Sequence, residues 1–233
     1  MFFFFICFTL WFIFLSFSAL AIYPLNTKFG GRDISLSRNP TGRLVGVRSA
    51  RGPDGTRGGA YRFLGKVNSY AEFRNTGKLD TKNSMTLLAW IKHTGRSGPI
   101  FNYNPRGWGV HFWMTSPRQL FIRFTRRNRR QPAPVVYNRI KPGRWQFVGA
   151  TYNKRTGVAK LFVNNRFVAK RRIGRFQLST NYPVRMGAKR DRRDRRYFRG
   201  SISCMQVYKV ALSRRAILRK KKRCFRRGKN SCF

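Results

Sequence analysis

Between Trp145 and Lys170 the chain reads WQFVGATYNKRTGVAKLFVNNRFVAK, a stretch that constrains the fold more than any other. From Trp145 to Tyr152, residues Trp145, Phe147, Gly149 and Thr151 fall on one side and Gln146, Val148, Ala150 and Tyr152 on the other, the period of a strand. Asn153 to Gly157 supplies turn chemistry, and Val158 to Val163 puts Ala159, Leu161 and Val163 on one face. Asn164 and Asn165 can take the positive φ angles of a two-residue hairpin, beyond which Phe167 and Ala169 continue the alternation. A three-stranded meander cannot bury its apolar face alone, so the rest of the chain has to provide an opposing sheet.

The remaining pattern is also mostly strand. Tyr23 to Gly59 is rich in Gly, Pro, Asn, Ser and Arg and reads as loop or edge material. Ala60 to Phe63 and Tyr70 to Phe73, separated by a turn through Gly65 to Ser69, read as a short hairpin. Met85 to His93 is a continuous apolar run of the mid-sheet type, followed by Pro99 to Tyr103. In WGVHFWM, Trp108, Val110, Phe112 and Met114 share one face while Gly109, His111 and Trp113 share the other, so both faces are largely apolar. Gln119 to Phe124 pairs with it across Ser116 and Pro117. Short strands follow at Pro183 to Gly187 and at Phe198 to Tyr208. The segment from Ala211 is the one helical stretch, with Ser213 able to cap it and Lys220 to Arg223 suiting its C-terminal end.

Residues 1–22 carry no charge and are dense in Phe, Leu and Ile, and Ala19-Leu20-Ala21 fits a signal-peptidase site, which predicts a secreted protein with residues 1–21 as leader. No Lys or Arg precedes the apolar run, and an uncleaved membrane anchor through residues 1–22 is the alternative. About 210 residues then remain, enough for one all-β domain. Cys7 leaves with the leader. Of Cys204, Cys224 and Cys232, one pair is expected to bridge in an oxidising compartment, Cys204 with Cys224 tying a late strand to the tail and Cys232 the other possible partner.

The succession GAYRFLG, NSYAEF, MTLLAWI, WQFVGATYN, TGVAKLFVNNRFVA, VRMG and FRGSISCMQVYKVALSRRAI resembles the laminin G-like, concanavalin A-like family in the order and spacing of its motifs, from about Ala60 to Ile217. The resemblance implies an all-β fold, a two-sheet antiparallel jelly-roll sandwich with a short C-terminal helix. It places the strand near Phe73 beside the late strand at Ile202, and Trp90, Trp145, Leu161, Phe198 and Ile202 in the core. The expected organisation is a leader at 1–21, an N-terminal loop and edge segment at 22–59, the sandwich at 60–218 and a basic tail at 219–233. Many relatives hold calcium through carboxylates. This chain has Leu64, Asn153, Asn165 and Ser203 where the family often has acids, and only Asp33, Asp54, Glu72, Asp80, Asp191 and Asp194 remain, so no metal and no cofactor is expected.

Catalytic signals are weak. The same sandwich carries glycosidases, whose chemistry needs two carboxylates about 5 to 10 Å apart. Glu72 is the one glutamate, in a strand where pairing with Arg is the simpler role. His93 and His111 lack a second ligand or triad partner at useful spacing. The chain reads as non-enzymatic.

Charge carries the functional signal. Against 6 Asp and Glu stand 51 Lys and Arg, a net +45 spread along the whole chain. Three clusters stand out: Arg123, Arg126, Arg127, Arg129 and Arg130; Lys189, Arg190, Arg192, Arg193, Arg195 and Arg196; and Lys220, Lys221, Lys222 and Arg223. The guanidinium fork pairs bidentately with sulfate, phosphate or carboxylate, so these loops predict binding of acidic glycans or extracellular matrix. A cationic protein acting on anionic membrane lipid through its polybasic tail is the alternative, and nucleic acid binding would be incidental.

Overall fold

The computed structural model describes residues 18–103, 108–128, 130–191 and 193–225. Most of the expected leader, with Cys7, lies outside the described residues, as do Arg129, Arg192 and Cys232. Two antiparallel sheets face each other. The first contains β1 (Ala21–Tyr23), β3 (Val47–Ala50), β4 (Ala60–Leu64), β6 (Met85–His93), β11 (Gln146–Asn153), β12 (Val158–Val163), β13 (Arg166–Arg172) and β15 (Arg199–Tyr208). Its order is β13-β12-β11-β6-β15-β4-β3, and the second half of β15 also pairs with β1. The second contains β2 (Arg43–Val45), β5 (Tyr70–Phe73), β7 (Gly98–Tyr103), β8 (His111–Met114), β9 (Leu120–Arg123), β10 (Val135–Tyr137) and β14 (Val184–Met186), in the order β10-β9-β8-β7-β14-β5-β2.

Alternation decides what lies between the sheets. Val148, Ala150 and Tyr152 of β11 and Leu87, Ala89 and Ile91 of β6 meet Phe112 and Met114 of β8 and Leu120 and Ile122 of β9 in one buried core. β6 and β11 are apolar on both faces because a second cluster covers the outside of the first sheet. There Leu88, Phe147, Phe162 and Tyr208 pack under Leu212 and under Ala216 and Ile217 of helix α1 (Arg214–Lys220). Ser213 caps that helix as its sequence predicts, its Oγ accepting from Ala216 N at 3.3 Å. The β12–β13 turn has Asn164 at φ 49° and Asn165 at φ 67°, the geometry that a two-residue hairpin requires.

Several expectations change. β4 and β5 do not form a hairpin: β4 pairs with β3 and β15, while β5 pairs with β2 and β14 in the other sheet. The strand beside Ile202 is therefore β4, with Ile202 opposite Tyr61, and not the strand near Phe73. Alternation reports which side of a strand is buried, not which strand lies alongside, and Phe63 and Phe73 both satisfy it by entering one core from opposite sheets. Leu161, Phe198 and Ile202 are buried as the resemblance implies, but Trp145 is half-exposed, because pairing with β6 begins only at Gln146. Trp90 is also half-exposed, on the outer face of β6, where its Nε1 donates to Lys221 O at 3.0 Å. The segment read as loop and edge supplies β1, β2 and β3, and Asp33 within it is buried, accepting from Ile22 N, Ser35 N and Asn39 N.

Cys204 and Cys224 form a disulfide that closes 20 residues of chain and holds the start of the tail against β15. Crosslinks of this span stabilise by about 3 kcal/mol, mainly by restricting the unfolded chain. Cys224→Ser is expected to lower unfolding free energy by that amount in urea denaturation. An unchanged midpoint would show that the crosslink adds nothing to stability.

Candidate functional site

The outer face of the second sheet carries an unusual set of side chains. In β8, Phe112 and Met114 point into the core, leaving His111 and Trp113 outside; in β9, Leu120 and Ile122 point in, leaving Phe121 and Arg123 outside. The register sets His111 opposite Arg123 and Trp113 opposite Phe121. A quartet of three rings and one guanidinium results. The His111 and Phe121 rings stack at 5.5 Å, and Trp108 lies across the group with its ring 4.8 Å from His111 and 5.6 Å from Trp113. Trp113 is fixed by donating from Nε1 to Asn102 Oδ1 at 3.3 Å.

A strap formed by residues 188–191 and 193–198 brings cations over these rings. Lys189, although only 4 % exposed, places Nζ 3.9 Å from the Trp108 ring centre. The Arg196 guanidinium sits 4.8 Å from Trp113 and 5.6 Å from Trp108. Arg123 lies 5.2 Å from the Phe121 ring. Between them is a cleft of about 220 Å³ lined by Trp108, His111, Trp113, Phe121, Arg123 and Arg196, with Thr115 at its edge. Cation–π contact stabilises such charges, and more strongly where water is excluded.

Arg123 is the least satisfied member. Its Nη1 donates to Gln131 Oε1, but its Nε is buried with no hydrogen-bond partner. Burial lowers the Arg123 pKa, the sign of a cation that lacks a counter-charge. Arg196, by contrast, is held on both oxygens of Asp194, at 2.9 and 2.7 Å. Burial of Asp194 opposes its ionisation, but the hydrogen bonds from Arg196 prevail and hold the carboxyl below its ordinary range. His111 is neutral. Burial is the main cause of its pKa falling to about 3, and the charges of Arg123, Lys189 and Arg196 push the same way. Its Nδ1 lies 2.7 Å from Gly109 O, so that nitrogen carries the proton.

The first two basic clusters contribute selectively. Of the described residues of the first, only Arg123 enters the cleft. Arg127 is a structural residue, forked on Asp80 at 3.1 and 2.8 Å, and Arg126 lies 4.9 Å from the Phe176 ring. Arg130 is exposed. Of the second, Lys189 and Arg196 reach the rings, while Arg190, Arg193 and Arg195 are exposed along the same strap. The third cluster stands apart on the first sheet: Lys221 Nζ is 5.2 Å from the Trp90 ring, Lys220 O accepts from Gln206 Nε2, and Lys222 and Arg223 are exposed. The aromatic half of the cleft, Trp108, His111, Trp113 and Phe121, was not read as a site from sequence. Its signal was the second apolar face at His111 and Trp113; Trp108, expected on the opposite face with Phe112 and Met114, precedes the paired strand, so alternation does not govern it and its ring lies on the His111 and Trp113 side.

Glu72 pairs with Arg185, which also stacks on Tyr70 at 3.7 Å. Among the described residues no three His, Cys, Asp or Glu side chains come together.

The sequence from residue 64 to 218 matches the profile of the concanavalin A-like lectin/glucanases superfamily. The chain belongs to this superfamily. Solved structures similar to this lectin-like jelly roll include the binding domain of Paraclostridial mosquitocidal protein 1, with TM-score 0.71 and 14 % identity over 88 % of the chain. The receptor-binding domain of the botulinum neurotoxin C/D mosaic serotype has TM-score 0.68 and 16 % identity over 86 %. The ligand-binding domain of botulinum neurotoxin serotype D, solved with N-acetylneuraminic acid, has TM-score 0.66 and 13 % identity over 86 %. The chain spans about half of each, 52 %, 50 % and 49 % respectively. No curated protein matches it in sequence. Among the described residues no helix is long and apolar enough to cross a membrane.

Proposed function

We propose that the protein is a secreted, non-enzymatic binding module for acidic glycans, free or in extracellular matrix, and that the cleft over β8 and β9 is its binding site. The observation that carries this reading is the buried Arg123 Nε without a partner, set beside rings and two further cations. Aromatic faces accept the apolar C–H side of a pyranose ring, and a guanidinium pairs with its carboxylate or sulfate. A neutral sugar would stack but leave Arg123 unsatisfied; an acidic one answers both. The carboxylated sugar held by one structurally similar domain is consistent with this chemistry. Secretion is supported by the Cys204–Cys224 disulfide, and leader removal after Ala21 predicts Ile22 as the mature N-terminus, which mass spectrometry of the purified protein reads directly.

A glycan array probed at two salt concentrations, with and without calcium, tests the assignment. Carboxylated or sulfated glycans are expected to bind more weakly at high salt and equally well with chelator, as for other polyanions whose counterions are displaced. Arg123→Ala is expected to reduce that binding about tenfold or more, in line with about 1.5–3 kcal/mol for a charge-assisted hydrogen bond. Binding confined to neutral glycans, or abolished by chelator, contradicts the proposal. The alternative of a lipid-directed polybasic tail is less well supported, since the described part of that tail is tied to the first sheet by the disulfide and by Trp90 and Gln206.

A further inference from the structure

A second, larger cleft of about 530 Å³ opens where β10 of one sheet approaches β12 and β13 of the other. Tyr137 and Trp145 give it two half-exposed rings, and Arg139, Lys141, Arg144 and Arg166 give it four exposed cations. No carboxylate lines it, and none of the four cations belongs to an ion pair among the described residues. It differs in this from the smaller cleft, where Asp194 already occupies Arg196.

The backbone that carries these groups is held in place. Gln146 Nε2 donates to Lys141 O at 2.9 Å while its Oε1 accepts from Lys141 N at 3.2 Å, a two-way clamp on the loop bearing Lys141 and Arg144. The same loop is tied by Ile140 N to Arg118 O at 3.0 Å and by Gly143 N to His93 O at 2.8 Å. Across the cleft, Asn164 donates from N to Phe147 O at 2.7 Å and accepts from Phe147 N on Oδ1 at 3.0 Å, fixing the turn that precedes Arg166. Like charges gathered without a counter-ion repel one another, and a loop pinned at this many points holds them together at a cost that an anion relieves. Pre-organisation of this kind also reduces the entropy lost when a ligand binds.

We infer that this cleft is a second glycan site, selective for sulfated sugars carrying several negative groups close together, whereas the smaller cleft takes a single acidic sugar. The inference rests on the glycan reading above for its ligand class. Four cations around two rings match a short sulfated oligosaccharide, in which each sulfate can take one guanidinium fork and the pyranose C–H faces lie on Trp145 and Tyr137. Single-stranded nucleic acid would meet similar chemistry, but a disulfide-bonded member of a lectin superfamily favours the sugar.

Calorimetric titration of the full chain with a heparin-derived tetrasaccharide tests the inference. The triple variant Arg139→Ala, Arg144→Ala, Arg166→Ala is expected to raise Kd at least tenfold. Trp145→Ala, which removes no charge, is expected to raise it about threefold to tenfold, with Trp145→Tyr restoring most of the affinity. A charge-matched control, Arg48→Ala, Arg57→Ala, Arg62→Ala, removes exposed cations from β3, from the loop that follows it and from β4 at the far end of the first sheet, and is expected to change Kd less than twofold. Equal losses in both triple variants with no effect of Trp145→Ala would reduce the cleft to diffuse electrostatics and overturn the inference. A single-stranded oligonucleotide of matching charge bound as tightly as the tetrasaccharide, and weakened equally by Trp145→Ala, would also overturn it. The two readings fail separately. If Arg123→Ala alone abolishes tetrasaccharide binding while the Arg139 triple does not, the second site is wrong and the first stands; if unsulfated uronate oligosaccharides bind nowhere, the first is wrong. Melting temperatures of all variants confirm folding.

Discussion

Acidification from pH 7 to pH 4 is expected to destabilise the fold on the order of 5 kcal/mol, through two buried histidines. Burial drives the His93 pKa down to about 4 and that of His111 to about 3, both from an ordinary value of 6.5. Folded pKa values depressed below the unfolded ones mean that the native state refuses protons which the unfolded chain accepts. This stabilisation is therefore fully present above about pH 6.5 and is lost as pH falls toward the folded values. With both groups titrating, stability should fall by at most about 3 kcal/mol per pH unit between pH 5.5 and 4.5. Carboxylates ordinarily dominate acid unfolding, but this chain has six Asp and Glu, so the histidine contribution is unusually visible. Urea unfolding at half-unit intervals measures it, and a flat profile from pH 6.5 to 4 contradicts the buried neutral imidazoles.

Gly98→Ala is expected to prevent stable folding, a loss above about 4 kcal/mol. Gly98 has φ +146°, and a Cβ there would lie 2.0 Å from Phe198 N and 2.3 Å from Tyr197 C. The obstructing atoms are backbone, so no rotamer change relieves the overlap. Here the end of the strap, Tyr197 and Phe198, passes directly against the start of β7. Gly143→Ala provides the contrast: φ is +73° but nothing lies within 4 Å, so only backbone strain of about 1–2 kcal/mol applies. Similar urea midpoints for the two variants would contradict the close crossing.

Much of the fold was legible in the sequence because alternation acts locally. The meander expected from Trp145 to Lys170 is β11 to β13, and Val158–Val163 was placed to the residue. Partner choice was less legible: β4 and β5 look like a hairpin along the chain, yet their opposite sheets are selected by contacts with β15 and β14 far away in sequence. The candidate site was half legible. Arginine clusters revealed the cations, but which of them reach a ring depends on the path of the strap, so Arg127 became a structural partner of Asp80 while Arg123 entered the cleft. Trp145 shows the same limit, since a tryptophan one residue outside the paired strand has the sequence signature of core and the position of a rim.

Indole N–H resonances of Trp108 and Trp113 test the central claim most directly. On titration with a glucuronate- or sialate-bearing oligosaccharide both signals are expected to shift in wild type, to shift much less with the carboxyl-reduced analogue, and to remain still in Arg123→Ala. Unmoved Trp108 and Trp113 signals under saturating acidic ligand, or equal shifts with the neutral analogue, would contradict it.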